Sequence, residues 1–163
     1  MAGLINDPIA KTEMLIRRPI NEVFQAFVDP AITAKFWFSS SSGPLETGKN
    51  VTWEWSMYGI STNVHVIEIE ENQRILIEWE ESYGYVPVEW IFIPRGTDST
   101  YVSITNTGFQ GTPDDIVKQA IDSMGGFTIV LCGLKALLEH NIQLNLVADK
   151  AHDAHRKRAD STS

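Results

Sequence analysis

Residues 124–140 read MGGFTIVLCGLKALLEH, and the interpretation of this stretch decides the fold. Leu131, Leu134, Leu137 and Leu138 favour a helix, whereas Gly125, Gly126 and Gly133 each cost roughly 1 kcal/mol against alanine in a helix interior. Apolar residues run almost unbroken from Phe127 to Leu134, which leaves that portion no wet side. A helix tolerates this composition when other structure grips it on most sides, because burial outweighs the propensity losses. Glycine then serves either a close backbone approach or space for a ligand. The three glycines are expected to divide between these roles, with Phe127 and Leu131 near a cavity and Lys135 and Glu139 marking the emergence into water. A bilayer span needs about 20 apolar residues, and Lys135 interrupts the run well before that.

Upstream, Thr112-Pro113-Asp114-Asp115 supplies an N-cap, a proline at the first helical position and two acids at the positive helix end. From there Ile116, Val117, Ala120, Ile121, Met124, Thr128, Leu131, Leu134 or Lys135, and Leu138 follow a single stripe at helical period. Earlier still the period is two. Val51, Trp53 and Trp55 alternate with polar residues, as do Ile75, Ile77 and Trp79, then Val88, Trp90 and Phe92, then Val102 and Ile104. In NVHVIEIEE, Val64 and Val66 occupy one face but Ile67 and Ile69 the other, a phase slip that predicts a bulge or bend. The breakers Tyr58-Gly59, Glu71-Asn72, Tyr83-Gly84 and Arg95-Gly96-Thr97-Asp98 separate the runs, so the strands form an antiparallel meander.

At the start of the chain, residues 12–18 read as a first strand. Pro19 opens a short helix with Ile20, Val23, Phe24 and Phe27 on one face, Asp29-Pro30 ends it, and residues 31–37 suggest a second short helix before the loop SSSSGPLETG. Beyond His140, the alternation of Ile142, Leu144 and Leu146 suggests extended chain, and from Asp149 the polar sequence predicts a frayed tail. The expected organisation is an extension over residues 1–11, one domain over 12–148 and a tail over 149–163.

Bulk properties narrow the functional classes. A chain of 163 residues is about one domain's worth. Thirteen Lys and Arg against 21 Asp and Glu give a net charge of −8, which argues against nucleic acid as a partner. A single cysteine, Cys132, excludes an intramolecular disulfide and a thiolate metal cluster, and its apolar surroundings suggest a small buried hydrophobe. The N-terminus MAGLINDPIAKTEM lacks the basic region and apolar core of a secretory signal, so a cytoplasmic location is expected.

Arg18-Pro19 with Val23-Phe24 and Phe27, Asp29-Pro30 with Phe36-Trp37, Gly48 before the tryptophan strand, Gly96-Thr97, Thr107-Gly108-Phe109, and Gly126-Phe127 with Leu134-Lys135 and Leu138-Glu139 occur in an order that resembles the SRPBCC superfamily of START-like and birch-pollen-allergen-like proteins. More narrowly, the chain resembles the branch related to the activator of heat-shock-protein-90 ATPase. The resemblance spans about residues 12–148. Two positions depart from it: Gly-Trp in the helix is here Gly126-Phe127, and the glycine that commonly follows Leu-Glu is replaced by Asn141 after His140. The resemblance implies an α+β helix-grip fold, a curved antiparallel sheet wrapped around a long C-terminal helix with two short helices after the first strand, and a cavity between sheet and helix. Its members bind lipids, hormones or polyketide-like molecules, a few catalyse cyclisation, and one regulates a chaperone. They share no catalytic residue, so none carries over.

The candidate ligand-binding residues are Trp37, Trp53, Trp55, Trp79 and Trp90, whose indoles combine apolar area with an N–H donor, together with His65, Asn106, Phe127 and Leu131. His65 shares a face with Ile67 and Ile69, which places it either toward the interior or just before the phase slip. Asn106 follows Val102 and Ile104 on the inward face as a polar hook. Glu54, Glu78 and Glu89 alternate opposite the tryptophans and are expected in solvent, and Tyr83 and Tyr85 flank Gly84 in a turn. His152-Asp153-Ala154-His155 spaces two imidazoles for one helix face but lacks a third ligand, so no metal or other cofactor is expected.

The favoured function is binding of an apolar or amphipathic small molecule in the cavity. The alternatives are a cyclase- or hydrolase-like enzyme using the same cavity, which would need converging titratable groups, and a co-chaperone by analogy alone. The sequence leaves monomer and homodimer both open.

Overall fold

A computed structural model describes residues 6–151 and 153. The chain runs β1 (Ala10–Ile16), α1 (Ile20–Val28), α2 (Pro30–Thr33), β2 (Ser40–Ser41), β3 (Asn50–Trp55), a 3-10 turn (Ser56–Tyr58), β4 (Ile60–Glu70), β5 (Arg74–Glu81), β6 (Gly84–Arg95), β7 (Ser99–Asn106), α3 (Pro113–His140) and α4 (Leu146–Lys150). The seven strands form one sheet in the order β1-β7-β6-β5-β4-β3-β2, and every pairing is antiparallel. This is the α+β helix-grip fold.

The meander follows from the period-two sequence, because each inward side chain meets an inward side chain across the ladder. Val64 lies opposite Trp79 and Trp79 opposite Val86; Trp90 lies between Ile75 and Ile104. The phase slip in β4 is a register shift between Val66 and Glu68. Without it, Ile69 would lie on the outer face; with it, Ile69 packs against the core while Ile67 turns outward.

Three boundaries differ from expectation. β1 begins two residues earlier, where Ala10 pairs with Asn106. The second short helix is a single turn capped by Asp29, whose side chain accepts from the Ala31 N–H. Leu146 opens α4 rather than continuing an extended segment, and Ile142 and Leu144 are exposed. The helix α3 starts as its sequence dictates, with a complete capping box: the Thr112 hydroxyl accepts from the Asp115 N–H, and the Asp115 carboxylate accepts from the Thr112 N–H. It ends at Asn141, which takes up the left-handed conformation at φ 54° that a glycine commonly supplies.

At 28 residues, α3 is long and apolar enough to cross a membrane by length and composition, contrary to the count made on residues 124–140 alone. In this fold its apolar length is used as the core helix: Phe127, Val130, Leu131, Leu134 and Leu137 are buried among the inward residues of the sheet and of α1. The helix also runs beside β1. The Thr12 and Thr128 hydroxyls bond at 2.7 Å, the Lys135 ammonium donates to the Leu15 carbonyl at 2.9 Å, and the Arg17 N–H donates to Glu139 at 2.9 Å. Lys135 and Glu139, themselves paired at 2.7 Å, thus satisfy backbone groups at the end of an edge strand that has no strand neighbour on that side among the described residues.

Candidate functional site

Between the concave face of the sheet and α3 lies a cavity of about 450 Å³, within the range of small-molecule sites. Its apolar wall comes from Trp37, Trp79, Phe109, Phe127, Ile129 and Val130. Trp37 stands at the centre of the aromatic cluster, 4.8 Å from Trp53, 6.0 Å from Trp90 and 5.7 Å from Phe127 between ring centroids. Phe127 stacks on Trp79 at 5.5 Å and 20°. Such contacts add about 0.5–1.5 kcal/mol per pair beyond burial and hold the wall in place.

The candidate residues separate into three groups. Trp37, Trp79, Asn106 and Phe127 line the cavity. Trp53, Trp90 and Leu131 are buried in the core behind it, and Trp55 packs against that core from the flank beside Trp37 and Trp53. His65 is a correction. The bulge follows it in β4, so Val64 and Val66 point inward and His65 points outward; there it bonds to Glu78 at 3.0 Å and stacks on Tyr85 at 4.1 Å. The Nε1 atoms of Trp79 and Trp90 are sealed from solvent with no partner among the described residues.

Asn106 is 2% exposed. Its amide donates to the Pro87 carbonyl at 2.9 Å and its oxygen accepts from the Ser123 hydroxyl at 2.8 Å. An amide offers two donors and two acceptor sites, so one of each is left. Glu54, Glu78 and Glu89 occupy the outer face; Glu78 meets His65, and Glu89 joins Glu68 and Glu70 around Arg74.

Three features of the cavity escape the sequence reading. The first is Glu81, which continues the inward phase of Ile75, Ile77 and Trp79 to the cavity mouth. Its carboxyl is partly desolvated by the wall, which pushes its pKa above the usual carboxylate range. The neighbouring Tyr83 phenol is pushed up by its own burial and then by the charge of Glu81, and donates to Gln119 at 2.6 Å. The second is the orientation of α3. Val117, Ile121 and Met124 are 37, 61 and 46% exposed while Ala120 of the same stripe is buried, so the helix is rotated and its large apolar residues in the N-terminal half face solvent. The stripe that faces the cavity is Gln119, Asp122, Ser123, Gly126, Phe127 and Val130, polar in its first half and apolar in its second. The third is α4, which lays Val147, Lys150 and Ala151 against the cavity; the Tyr58 phenol donates to the Val147 carbonyl and holds this segment down.

The glycines of α3 divide as their sequence context suggests. Gly126 lines the cavity, and a Cβ there would meet nothing within 4 Å. Gly133 lies where a Cβ would approach the Phe36 Cβ and carbonyl oxygen to 3.3 Å; it permits close approach of α3 to the segment after α2. Gly125 faces only the tip of Lys150.

Among the described residues no three His, Cys, Asp or Glu side chains are placed to hold a metal ion. His152, Ala154 and His155 of the tail motif lie outside the described residues.

The family model for Activator of Hsp90 ATPase homolog 1-like protein matches residues 17–139. The crystal structure of protein SSP2350 from Staphylococcus saprophyticus is similar at 32% identity, over 83% of this chain and 95% of that one, with a TM-score of 0.72. The solution structure of the Aha1 dimer from Colwellia psychrerythraea shares the fold at 15% identity, over 81% and 96% of the two chains, with a TM-score of 0.69. CalU16 from Micromonospora echinospora does so at 14% identity, over 94% and 92%, with a TM-score of 0.66. No curated protein matches the chain. With the family model covering three quarters of its length, and with the helix-grip sheet and helix in place, the chain belongs to the family of Activator of Hsp90 ATPase homolog 1-like proteins.

Proposed function

We propose that this protein binds an amphipathic small molecule in the cavity between the sheet and α3. The observation that carries the proposal is the polar face that the N-terminal half of α3 turns toward the cavity. A helix built only to close a core would turn Val117, Ile121 and Met124 inward; this one turns Gln119, Asp122, Ser123 and the side-chainless Gly126 toward a cavity. Trp37, Trp79 and Phe127 supply the desolvating wall, while Asn106 and Ser123 offer hydrogen bonds that fix orientation. A cytoplasmic setting belongs to the same proposal.

Titration with the neutral fluorophore N-phenyl-1-naphthylamine tests it. Wild-type protein is expected to bind saturably, and Gly126→Leu, which projects a side chain into the cavity, is expected to lose binding while keeping its circular dichroism. Equal binding by Gly126→Leu contradicts the proposal, as does the lack of saturable binding by the wild type.

Glu81 favours a second reading. A carboxyl held above its usual range at a cavity mouth is suited to general acid and base work, and turnover of a bound molecule would then depend on Glu81. A homodimer through the outer stripe of α3 is a further proposal, supported by the exposure of Val117, Ile121 and Met124 and by the dimer formed by the Colwellia relative. Light scattering of Ile121→Lys against the wild type tests it, with loss of a dimer expected.

A further inference from the structure

Resting on the cavity-binding proposal, we infer that the preferred ligand carries a cationic head group, an amine or ammonium, which lies at the polar end of the cavity between Glu81 and Asp122 while its apolar body lies on Trp37, Trp79 and Phe127.

The polar and apolar parts of the lining are segregated, which fixes the direction of an amphipathic guest. Along α3 the lining passes from Gln119, Asp122 and Ser123 to Phe127, Ile129 and Val130. On the sheet, Glu81 lies two residues beyond Trp79 in the same inward phase. The head group therefore meets the N-terminal half of α3 and the end of β5. Both charged side chains from these two elements are carboxylates. The amide oxygen of Asn106 retains one acceptor site after bonding Ser123.

Among the described residues the lining contains one cation, Lys150 on α4. Its ammonium lies by Gly125, and it forms no ion pair with Glu81 or Asp122 among the described residues. The formal charge of the described lining is thus −1, from Glu81 and Asp122 against Lys150. Glu81 and Asp122 are both exposed at the rim of the cavity and neither is ion-paired among the described residues, so both are open to a ligand ammonium, and charge-assisted hydrogen bonds are the stronger kind. An anionic head group would instead be repelled by both carboxylates.

Competition against N-phenyl-1-naphthylamine with decyltrimethylammonium and decyl sulfate, both below their micelle concentrations at low salt, tests the inference. The cation is expected to displace the fluorophore at a concentration roughly tenfold lower than the anion. Glu81→Gln/Asp122→Asn is expected to abolish that ratio, and Lys150→Gln to increase it. The control Glu71→Gln/Asp98→Asn removes the same charge from exposed turns and is expected to leave the ratio unchanged, which separates the cavity from the general acidity of the chain.

Equal displacement by the two probes, or a preference that survives Glu81→Gln/Asp122→Asn, overturns the inference while fluorophore binding and its loss in Gly126→Leu leave cavity binding intact. Failure of the fluorophore itself to bind overturns both.

Discussion

At the residue scale, two glycines in one helix do opposite work, and the difference is measurable. Gly126 has open space where a Cβ would stand, so Gly126→Ala is expected to raise stability by about 0.5–1 kcal/mol through helix propensity alone. Gly133 has the Phe36 backbone there instead, so Gly133→Leu is expected to cost about 1–3 kcal/mol by overpacking. Chemical denaturation of both variants checks this pair, and equal effects would contradict the assignment. Glu81 makes a pH-dependent prediction. Burial raises its pKa in the folded state, so ionising it opposes folding, and the opposition is fully present above the folded pKa. Glu81→Gln is therefore expected to be more stable than wild type at pH 7, with the gain shrinking as pH falls through the carboxyl range. The sequence contained the signal for this residue, since the period of Ile75, Ile77 and Trp79 runs on to position 81. His65 was not legible in the same way, because its face depends on where the chain absorbs the extra residue of a bulge, and Ile67 and Ile69 gave the wrong phase.

At the scale of elements, the strands were readable because each buries one face, and a period of two has only one way to place it. The helix α3 was readable as a helix but not in its orientation. Its apolar stripe is continuous from Ile116 to Leu138 in sequence, yet Leu131 and Leu134 are fully buried while Ile121 and Met124 face water. The stripe records hydrophobicity; the cavity decides which side of the first four turns looks inward. The C-terminal half is held by Lys135 and Glu139 against the backbone of β1. Burial pushes the Glu139 carboxyl up, but the Arg17 N–H, Lys135 and His140 outweigh it and hold the carboxyl below its ordinary range. A depressed folded pKa gives stability that is present above the unfolded value and lost as pH falls through the folded one. Glu139→Gln is expected to destabilise by about 1.5–3 kcal/mol at pH 7, with the difference from wild type disappearing in acid. Thermal denaturation at several pH values checks it.

At the scale of the whole molecule, the sheet, α3 and α4 together make a site that no one of them contains. Trp79 and Glu81 come from β5, Asn106 from β7, Gly126 and Phe127 from α3, and Val147 from α4, held by Tyr58 of the 3-10 turn. Most of the fold was legible, because alternation, caps and breakers are local. The cavity was legible only in part. Its aromatic wall follows from strand phase, but its polar end comes from a helix face whose direction is a tertiary outcome. The most direct measurement of the central claim is a ¹⁵N chemical-shift map of the protein titrated with N-phenyl-1-naphthylamine. The account predicts the largest shifts at Trp37, Trp79, Asn106 and Gly126, and their loss in Gly126→Leu. Shifts confined to Val117, Ile121 and Met124 on the outer stripe, or to His65 and Tyr85 on the outer sheet face, would contradict it.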